Sequence, residues 1–349
     1  MVYLDNSSTT YPKPECVYQA LDEANRTLAF NAGRGIYPCA DKAQKIIDET
    51  RELISSFLGK SLYPVVFTSS ATDAINQLLY GINFEEGDYA FVSPFEHNAV
   101  LRVLHLLEER KHINIVVIPF DKAWNLIDTT YENLLHMYKP KVVISSLISN
   151  VTGFKLPYSQ IFDMAKNVKA ITILDASQGF GVVEINNKEN TDYIVFDGHK
   201  TLYASFGVGG FICLKSHKLI ASKAGGTGSD SLNLSMPTDL VGMFEPGSHN
   251  TVAIASLNAS CKWLKTVDVA SKESILTSYL IDELSKLNNI HMFLPDRIEN
   301  VFGTVSFCVD GYSAEEVGSI LSDEFDIAVR TGFHCAAYVH EFIRPVRMT

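Results

Sequence analysis

The sequence predicts an α/β fold: a mainly parallel, doubly wound sheet followed by a smaller C-terminal α+β domain. Two observations carry this. Short apolar runs recur from Val65 to Leu214, most of them separated by a helix-length segment, which is the rhythm of parallel strands joined by crossover helices. From about Thr251 the pattern changes to longer helical stretches around one strand candidate. In chain order, Pro14 to Thr27 reads as a helix, as does Asp41 to Phe57, where Ala43, Ile46, Ile47, Leu53, Ile54 and Phe57 recur at roughly helical spacing. The strand candidates are Val65–Phe67, Tyr89–Val92, Ile113–Ile118, Lys141–Ser145, Ala170–Leu174, Tyr193–Phe196 and Gly209–Leu214. Beyond them, Ala253 to Trp263 and Glu273 to Leu287 read as helices, Val301 to Val309 as a strand and Ala314 to Phe325 as a helix. The expected division is a large domain over residues 15–250 and a small one over 251–349, joined by segment 1–14.

Composition bounds the function. With 349 residues, 46% hydrophobic and 20% charged, the chain is an ordinary globular protein too long for one small core. A net charge of −11 without a visible basic patch excludes nucleic acid as a partner. The start MVYLDNSSTT lacks a basic and then apolar leader, and no run approaches the ~20 apolar residues of a membrane span. No membrane association is therefore expected, and a cytoplasmic location is. Six cysteines, scattered without a CxxC pair, argue against both a disulfide framework and a zinc site, so no metal is expected.

Chemistry concentrates at strand ends. Lys200 follows an apolar strand and a glycine in DYIVFDGHKTLYASFGVGGF. A lysine there can form a Schiff base once a partly desolvated pocket lowers its pKa, although most lysines are solvated surface charges. Asp175 ends the run Ile171–Leu174, with Gln178 three residues on. Ligands of open α/β sheets bind outside the carboxyl ends of the strands, so Asp175 and Lys200 can face one molecule. A carboxylate for a pyridinium nitrogen and a lysine for an aldehyde are the two groups that pyridoxal 5'-phosphate (PLP) demands. The alternative for Asp175 alone is a helix N-cap.

Other candidates lie on the same edge. Thr68-Ser69-Ser70-Ala71-Thr72-Asp73 sits where a strand hands over to a helix, so first-turn N–H groups and the Thr72 hydroxyl form an anion cradle or, equally, an ordinary N-cap. His97 follows Tyr89–Val92 and can stack on a planar ring or cap a helix. Asn150 follows Lys141–Ser145. Near the C-terminus RTGFHCA groups Arg330, His334 and Cys335, and Arg347 follows. Cationic neighbours make a thiol more nucleophilic, and an arginine fork suits a substrate carboxylate.

Together these segments resemble the class V aminotransferase-like PLP enzymes of fold type I, and within them the cysteine desulfurases and selenocysteine lyases. The resemblance runs nearly end to end through YLDNSSTT, NAGRGIY, FTSSATDAIN, EHNAVLR, SNVTG, DASQ, GHK, GGTGS, EPGSHN and RTGFHCA, in the family's order. The RTGxHCA motif is similar to the second group of desulfurases. The resemblance implies that Lys200 holds PLP and moves the substrate Cα proton, that Asp175 pairs with the pyridine nitrogen, and that His97 stacks on the ring. It further implies that Gln178 and Asn150 contact the ring hydroxyl region, that Ala71, Thr72 and His199 bind phosphate, and that Ser248 reaches in from the other subunit of a homodimer. Arg347, with Arg330 and Asn150, would meet the substrate carboxylate, and Cys335 would attack the sulfur of the substrate.

The sequence departs from relatives at several places. Asp197 stands where a serine or small residue often binds phosphate, and a carboxylate there repels phosphate unless it turns away or is protonated. Tyr203-Ala204-Ser205 replaces a Gly-Pro turn, Ser248 replaces a threonine, and the segment from Cys335 to Arg347 is a few residues short. Relatives continue past the equivalent of Thr349 through a strand and a helix. The expected function is conversion of L-cysteine (or selenocysteine) to alanine, with sulfur passing through a Cys335 persulfide to an acceptor protein for iron–sulfur cluster or cofactor assembly. The alternatives are a transaminase or β-lyase of the same class, or a non-catalytic protein that keeps the fold.

Overall fold

The computed structural model describes residues 1–33, 35–59, 62–228 and 232–343. A short strand β1 (Val2–Tyr3) leads to helices α1 (Glu15–Thr27) and α2 (Pro38–Ser56), the latter with Pro38 where a helix has no use for an N–H. Strands and helices then alternate through β2 (Val65–Thr68), α3 (Ala71–Gly81), β3 (Tyr89–Val92), α4 (Asn98–Lys111), β4 (Asn114–Val117), α5 (Asp128–Tyr138), β5 (Val142–Ser146), α6 (Tyr158–Lys166) and β6 (Ile171–Asp175). Strands β7 (Tyr193–Asp197) and β8 (Gly209–Cys213) and helices α7 (Leu240–Phe244) and α8 (Thr251–Leu264) follow.

Seven strands form one sheet in the order β2-β8-β7-β6-β5-β3-β4, in which β8 alone runs against the others. Strand β5, VVISS, is buried along its whole length, as parallel strands covered on both faces must be. The two-residue period of a strand sorts its side chains between two cores. Phe91, Val143, Ile194 and Phe196 join Ile47, Phe162 and Leu257 on one face. Ala90, Val92, Val142, Tyr193 and Val195 join Leu78 and Leu104 on the other. The carboxyl ends of β2, β3, β5, β6 and β7 consequently share one edge, where Thr68, Val92, Ser146, Asp175 and Asp197 end their strands.

The remaining elements are α9 (Val269–Leu284), β9 (Ile290–Met292), β10 (Phe307–Val309), α10 (Ala314–Phe325), β11 (Ile327–Ala328) and α11 (Ala337–Ile343). Strand β11 pairs with β1, and β9 with β10. The expected domain boundary at Thr251 falls at the start of α8, but Ala253, Ile254, Leu257, Cys261 and Leu264 of α8 lie in the sheet's own core, so the packing groups this helix with the sheet. Helix α9 begins at Val269 rather than Glu273 because the Asp268 side chain accepts from the Ser271 N–H and caps it. The strand expected over Val301–Val309 shortens to Phe307–Val309: Gly303, at φ 72°, breaks the run, while Val301 bridges to Phe154. Among the described residues no helix is long and apolar enough to cross a membrane.

Candidate active site

The shared strand edge opens into a cavity lined by Ala71, Thr72, His97, Asn150, Asp175, Gln178 and Lys200, all expected there, and by Ala99, Ser146, Ile148, Ser177 and Asp197. Asp175 is buried, and its Oδ1 accepts from the Ser177 N–H at 3.0 Å and hydroxyl at 2.5 Å. Its Oδ2 has no hydrogen-bond partner among the described residues. Lys200 Nζ likewise has none, which leaves a free amine and a free carboxylate oxygen around one cavity.

His97 unites the two roles the sequence left open. As N-cap of α4 its Nδ1 accepts from the Ala99 N–H at 3.0 Å, while its ring lines the cavity. Burial, and then the charge of Lys200, hold its imidazole below the usual histidine range, and the Nδ1 that accepts from Ala99 leaves the ring proton on Nε2. The preceding residue, Glu96, is fully buried and accepts from Ser93 Oγ at 2.5 Å, Ser146 N at 2.6 Å and Ser146 Oγ at 2.9 Å. Burial pushes this carboxyl up to about 7, with repulsion from Asp175 adding to the rise.

The anion cradle is also present. Ser70 caps α3 by accepting from the Asp73 N–H at 3.2 Å, and Thr72 is exposed to the cavity. Close packing holds this helix start against the sheet: a Cβ on Gly209 of β8 would come within 2.7 Å of the Ser70 carbonyl carbon and 2.8 Å of the Ala71 nitrogen. The donor set fits PLP. Lys200 offers a free amine for an aldehyde, Asp175 Oδ2 a carboxylate for a pyridinium nitrogen, and the start of α3 its N–H groups for a phosphate. Asp197 is the exception, since it is buried against the same cavity and its Oδ1 lacks a partner.

Several expected contacts are arranged differently. Asn150 donates its amide to the carbonyl of His334 at 2.8 Å, and Gln178 donates to the carbonyl of Ser7 at 2.7 Å. Each therefore braces a neighbouring segment and keeps only its amide oxygen and remaining N–H for a ligand. His199 does not line the cavity; its ring packs on Phe206 with centroids 4.5 Å apart. Ser248 lies in a second cavity with Phe67, Lys223 and Glu245. Arg347 lies outside the described residues.

Cys335 is exposed on the loop before α11, and both it and His334 adopt left-handed backbone, at φ 55° and 47°. Such conformations cost non-glycine residues of order 1 kcal/mol each and persist only where surroundings enforce them. Here the Asn98 N–H donates to the Cys335 carbonyl at 2.7 Å, Asn150 holds the His334 carbonyl, and Ala336 is buried with Phe95, Val151 and Phe154. The loop is thereby fixed to the residue beside His97, at the cavity's rim. Arg330 donates to Ser8 Oγ at 2.7 Å and lies 3.8 Å from the Cys335 sulfur, beside that thiol rather than inside the cavity. Sequence reasoning missed Ser7, Ser8, Lys13, Glu96, Asn98 and Ser177. The signal for the first three was the motif YLDNSSTT and its continuation, whose Ser7 carbonyl, Ser8 hydroxyl and Lys13 amine bind chain segments some 170 to 320 residues away in sequence.

The chain is similar throughout to known proteins. It is 28% identical over 343 residues to a probable cysteine desulfurase of Methanothermobacter thermautotrophicus, covering 96% of this chain and 84% of that one. A cysteine desulfurase of Pectobacterium carotovorum is 27% identical over 351 residues, with 96% and 84% covered. The apo structure of a cysteine desulfurase from Thermococcus onnurineus superposes with a TM-score of 0.87 at 26% identity, over 98% of this chain and 87% of that one. The family model Aminotransferase class-V matches residues 2–347, nearly the whole length, and the chain belongs to that family.

Proposed function

We propose that the protein is a PLP-dependent cysteine desulfurase that converts L-cysteine to L-alanine and transfers the sulfur to Cys335. The observation that carries this reading is the pinning of the Cys335 loop to Asn98 and Asn150, beside a cavity that holds the unpartnered Lys200 amine and Asp175 carboxylate oxygen. A transaminase needs no thiol at this rim. PLP, when bound, supplies an electron sink for charge developing at the substrate carbon. Lys200 is placed to take and return the proton at Cα, and Asp175 to keep a ring nitrogen protonated. His97 Nε2–H is the proton donor facing the cavity. Cys335, as thiolate, attacks the substrate sulfur: the S–S bond forms, the C–S bond breaks, and the electron pair stays with the carbon, which takes up a proton on the way to alanine. The resulting persulfide passes its outer sulfur to a thiol of an acceptor protein.

The reading extends to a cytosolic homodimer in which Ser248 serves the partner's phosphate site. Exposure of Ser248, away from its own chain's Lys200 cavity, supports that arrangement. The test mixes PLP-loaded protein with L-cysteine and a reductant and quantifies alanine and sulfide together. Equal amounts in the wild type, lost in Cys335→Ser with the cofactor's absorbance retained, establish the reaction. Pyruvate and ammonia instead, or full sulfide release by Cys335→Ser, overturn it. The same assay with selenocysteine decides the preferred chalcogen.

A further inference from the structure

One buried and one half-buried charge on either side of His199 lack a close ion-pair partner among the described residues. Asp197 ends β7 opposite Gly209, whose other neighbour in the sheet is Thr68, the residue that leads into the start of α3. It is 6% exposed, it lines the cavity, and its Oδ1 makes no hydrogen bond. Its Oδ2 lies 3.5 Å from His199 Nε2, and His199 Nδ1 is itself buried without a partner. An anionic acceptor with a free oxygen is the wrong group to find where a phosphate must bind.

The second charge comes from the N-terminal segment. Lys13 Nζ donates to Thr10 Oγ1 at 2.7 Å and to the carbonyl of His199 at 2.9 Å, with Thr9 Oγ1 at 3.5 Å. All three acceptors are neutral, so this half-buried ammonium has no carboxylate in ion-pair contact among the described residues. Burial lowers it to about 8, and the negative charge of Asp197 resists that lowering. The amine and the carboxylate are thus linked through His199, the carbonyl holding one and the imidazole facing the other.

We propose that Lys13 is the counter-charge of Asp197 and a positioning residue of the cofactor's phosphate subsite, so that phosphate affinity depends on Lys13 because Asp197 is present. The inference rests on the PLP reading above. A dianion approaching the start of α3 meets the repulsion of Asp197, and an ammonium fixed on the carbonyl of His199, whose ring faces that carboxylate, offsets it. The usual serine at position 197 would need no such cation, and the Lys13 amine would then gain nothing from its burial.

The test is a titration of apo protein with PLP, followed by absorbance and by quenching of protein fluorescence, in the wild type, Lys13→Met, Asp197→Ser and the double variant. Lys13→Met is expected to weaken PLP binding roughly tenfold, and the double variant to bind within about threefold of Asp197→Ser alone. Pyridoxal, which lacks the phosphate, is expected to bind the wild type and Lys13→Met alike. Unchanged PLP affinity in Lys13→Met overturns the proposal. So does a loss that Asp197→Ser fails to relieve, or one that pyridoxal shares, because either marks damage to the N-terminal segment rather than a charge effect. A wild type that takes up neither PLP nor pyridoxal overturns the cofactor reading itself, and the proposal with it.

Discussion

The guanidinium of Arg330 joins two distant parts of the chain: one nitrogen donates to the Ser8 hydroxyl at 2.7 Å and the other approaches the Cys335 sulfur at 3.8 Å. The tether to Ser8 keeps the guanidinium in place, so its N–H group is a fixed partner that orients the sulfur for attack. Arg330→Ala is therefore expected to slow alkylation of Cys335 by iodoacetamide several-fold at fixed pH, and to slow sulfide release from cysteine with it. Ser8→Ala should show a smaller slowing of the same kind. An alkylation rate unchanged in Arg330→Ala would mean that the contact ties the loop to Ser8 without governing how the sulfur reacts.

Gly209 sets how closely the phosphate cradle sits on the sheet. A methyl group there meets backbone atoms of Ser70 and Ala71 at 2.7–2.9 Å, and backbone cannot step aside as a flexible side chain can. Gly209→Ala is expected to push the start of α3 outward, destabilise the apo protein by about 1–3 kcal/mol in urea unfolding, and weaken PLP uptake. Wild-type stability and affinity in this variant would show that the helix start tolerates displacement.

Much of this site was legible because its chemistry ends apolar strands. Tyr89–Val92 and Ala314–Phe325 match their expected bounds, and Asp175, Lys200, His97 and Thr72 all reach one cavity because parallel strands deliver their carboxyl ends to one edge. What stayed hidden depends on pairs remote in sequence. Nothing in SNVTG says that the Asn150 amide holds the carbonyl of His334, and nothing in EHNAVLR says that Glu96 is buried behind Ser146. The strand expected over Val301–Val309 failed because Gly303 was read as strand interior rather than as a left-handed break. Lys13 carries no signal of its own in the sequence, because its burial comes from docking of the N-terminal segment on His199.

Arg51 grips Glu245 with two hydrogen bonds of 2.7 and 2.6 Å, and Glu245 also accepts from the Phe67 N–H at 2.6 Å and pairs with His249. These partners hold the Glu245 carboxyl below its usual range even though burial pushes it up. Removing one partner of a buried ion pair leaves the other charge uncompensated, so Arg51→Met is expected to cost about 3–5 kcal/mol. Urea unfolding of the apo protein measures it. A cost below about 1 kcal/mol would mean that His249 and the Phe67 N–H satisfy the carboxylate unaided.

Glu96 gives the site a pH signature. Its folded value of about 7, raised by burial against the pull of the Ser93 hydrogen bond, exceeds the ordinary 4.5 of an unfolded glutamate. From about pH 4.5 to 7 the folded protein keeps a proton that the unfolded chain has released, so this group's contribution to stability falls as pH rises through that window. The shift corresponds to a loss of about 3 kcal/mol, complete above the folded value. Glu96→Gln preserves the shape and can donate to Ser146 Oγ in place of the protonated acid, yet has no proton to lose. Relative to the wild type, Glu96→Gln should therefore gain about 2 kcal/mol between pH 5 and pH 7.5 in urea unfolding of the apo protein. A difference that stays constant across that range would show that Glu96 is ionised throughout, with its charge carried by Ser93 and the two donors of Ser146.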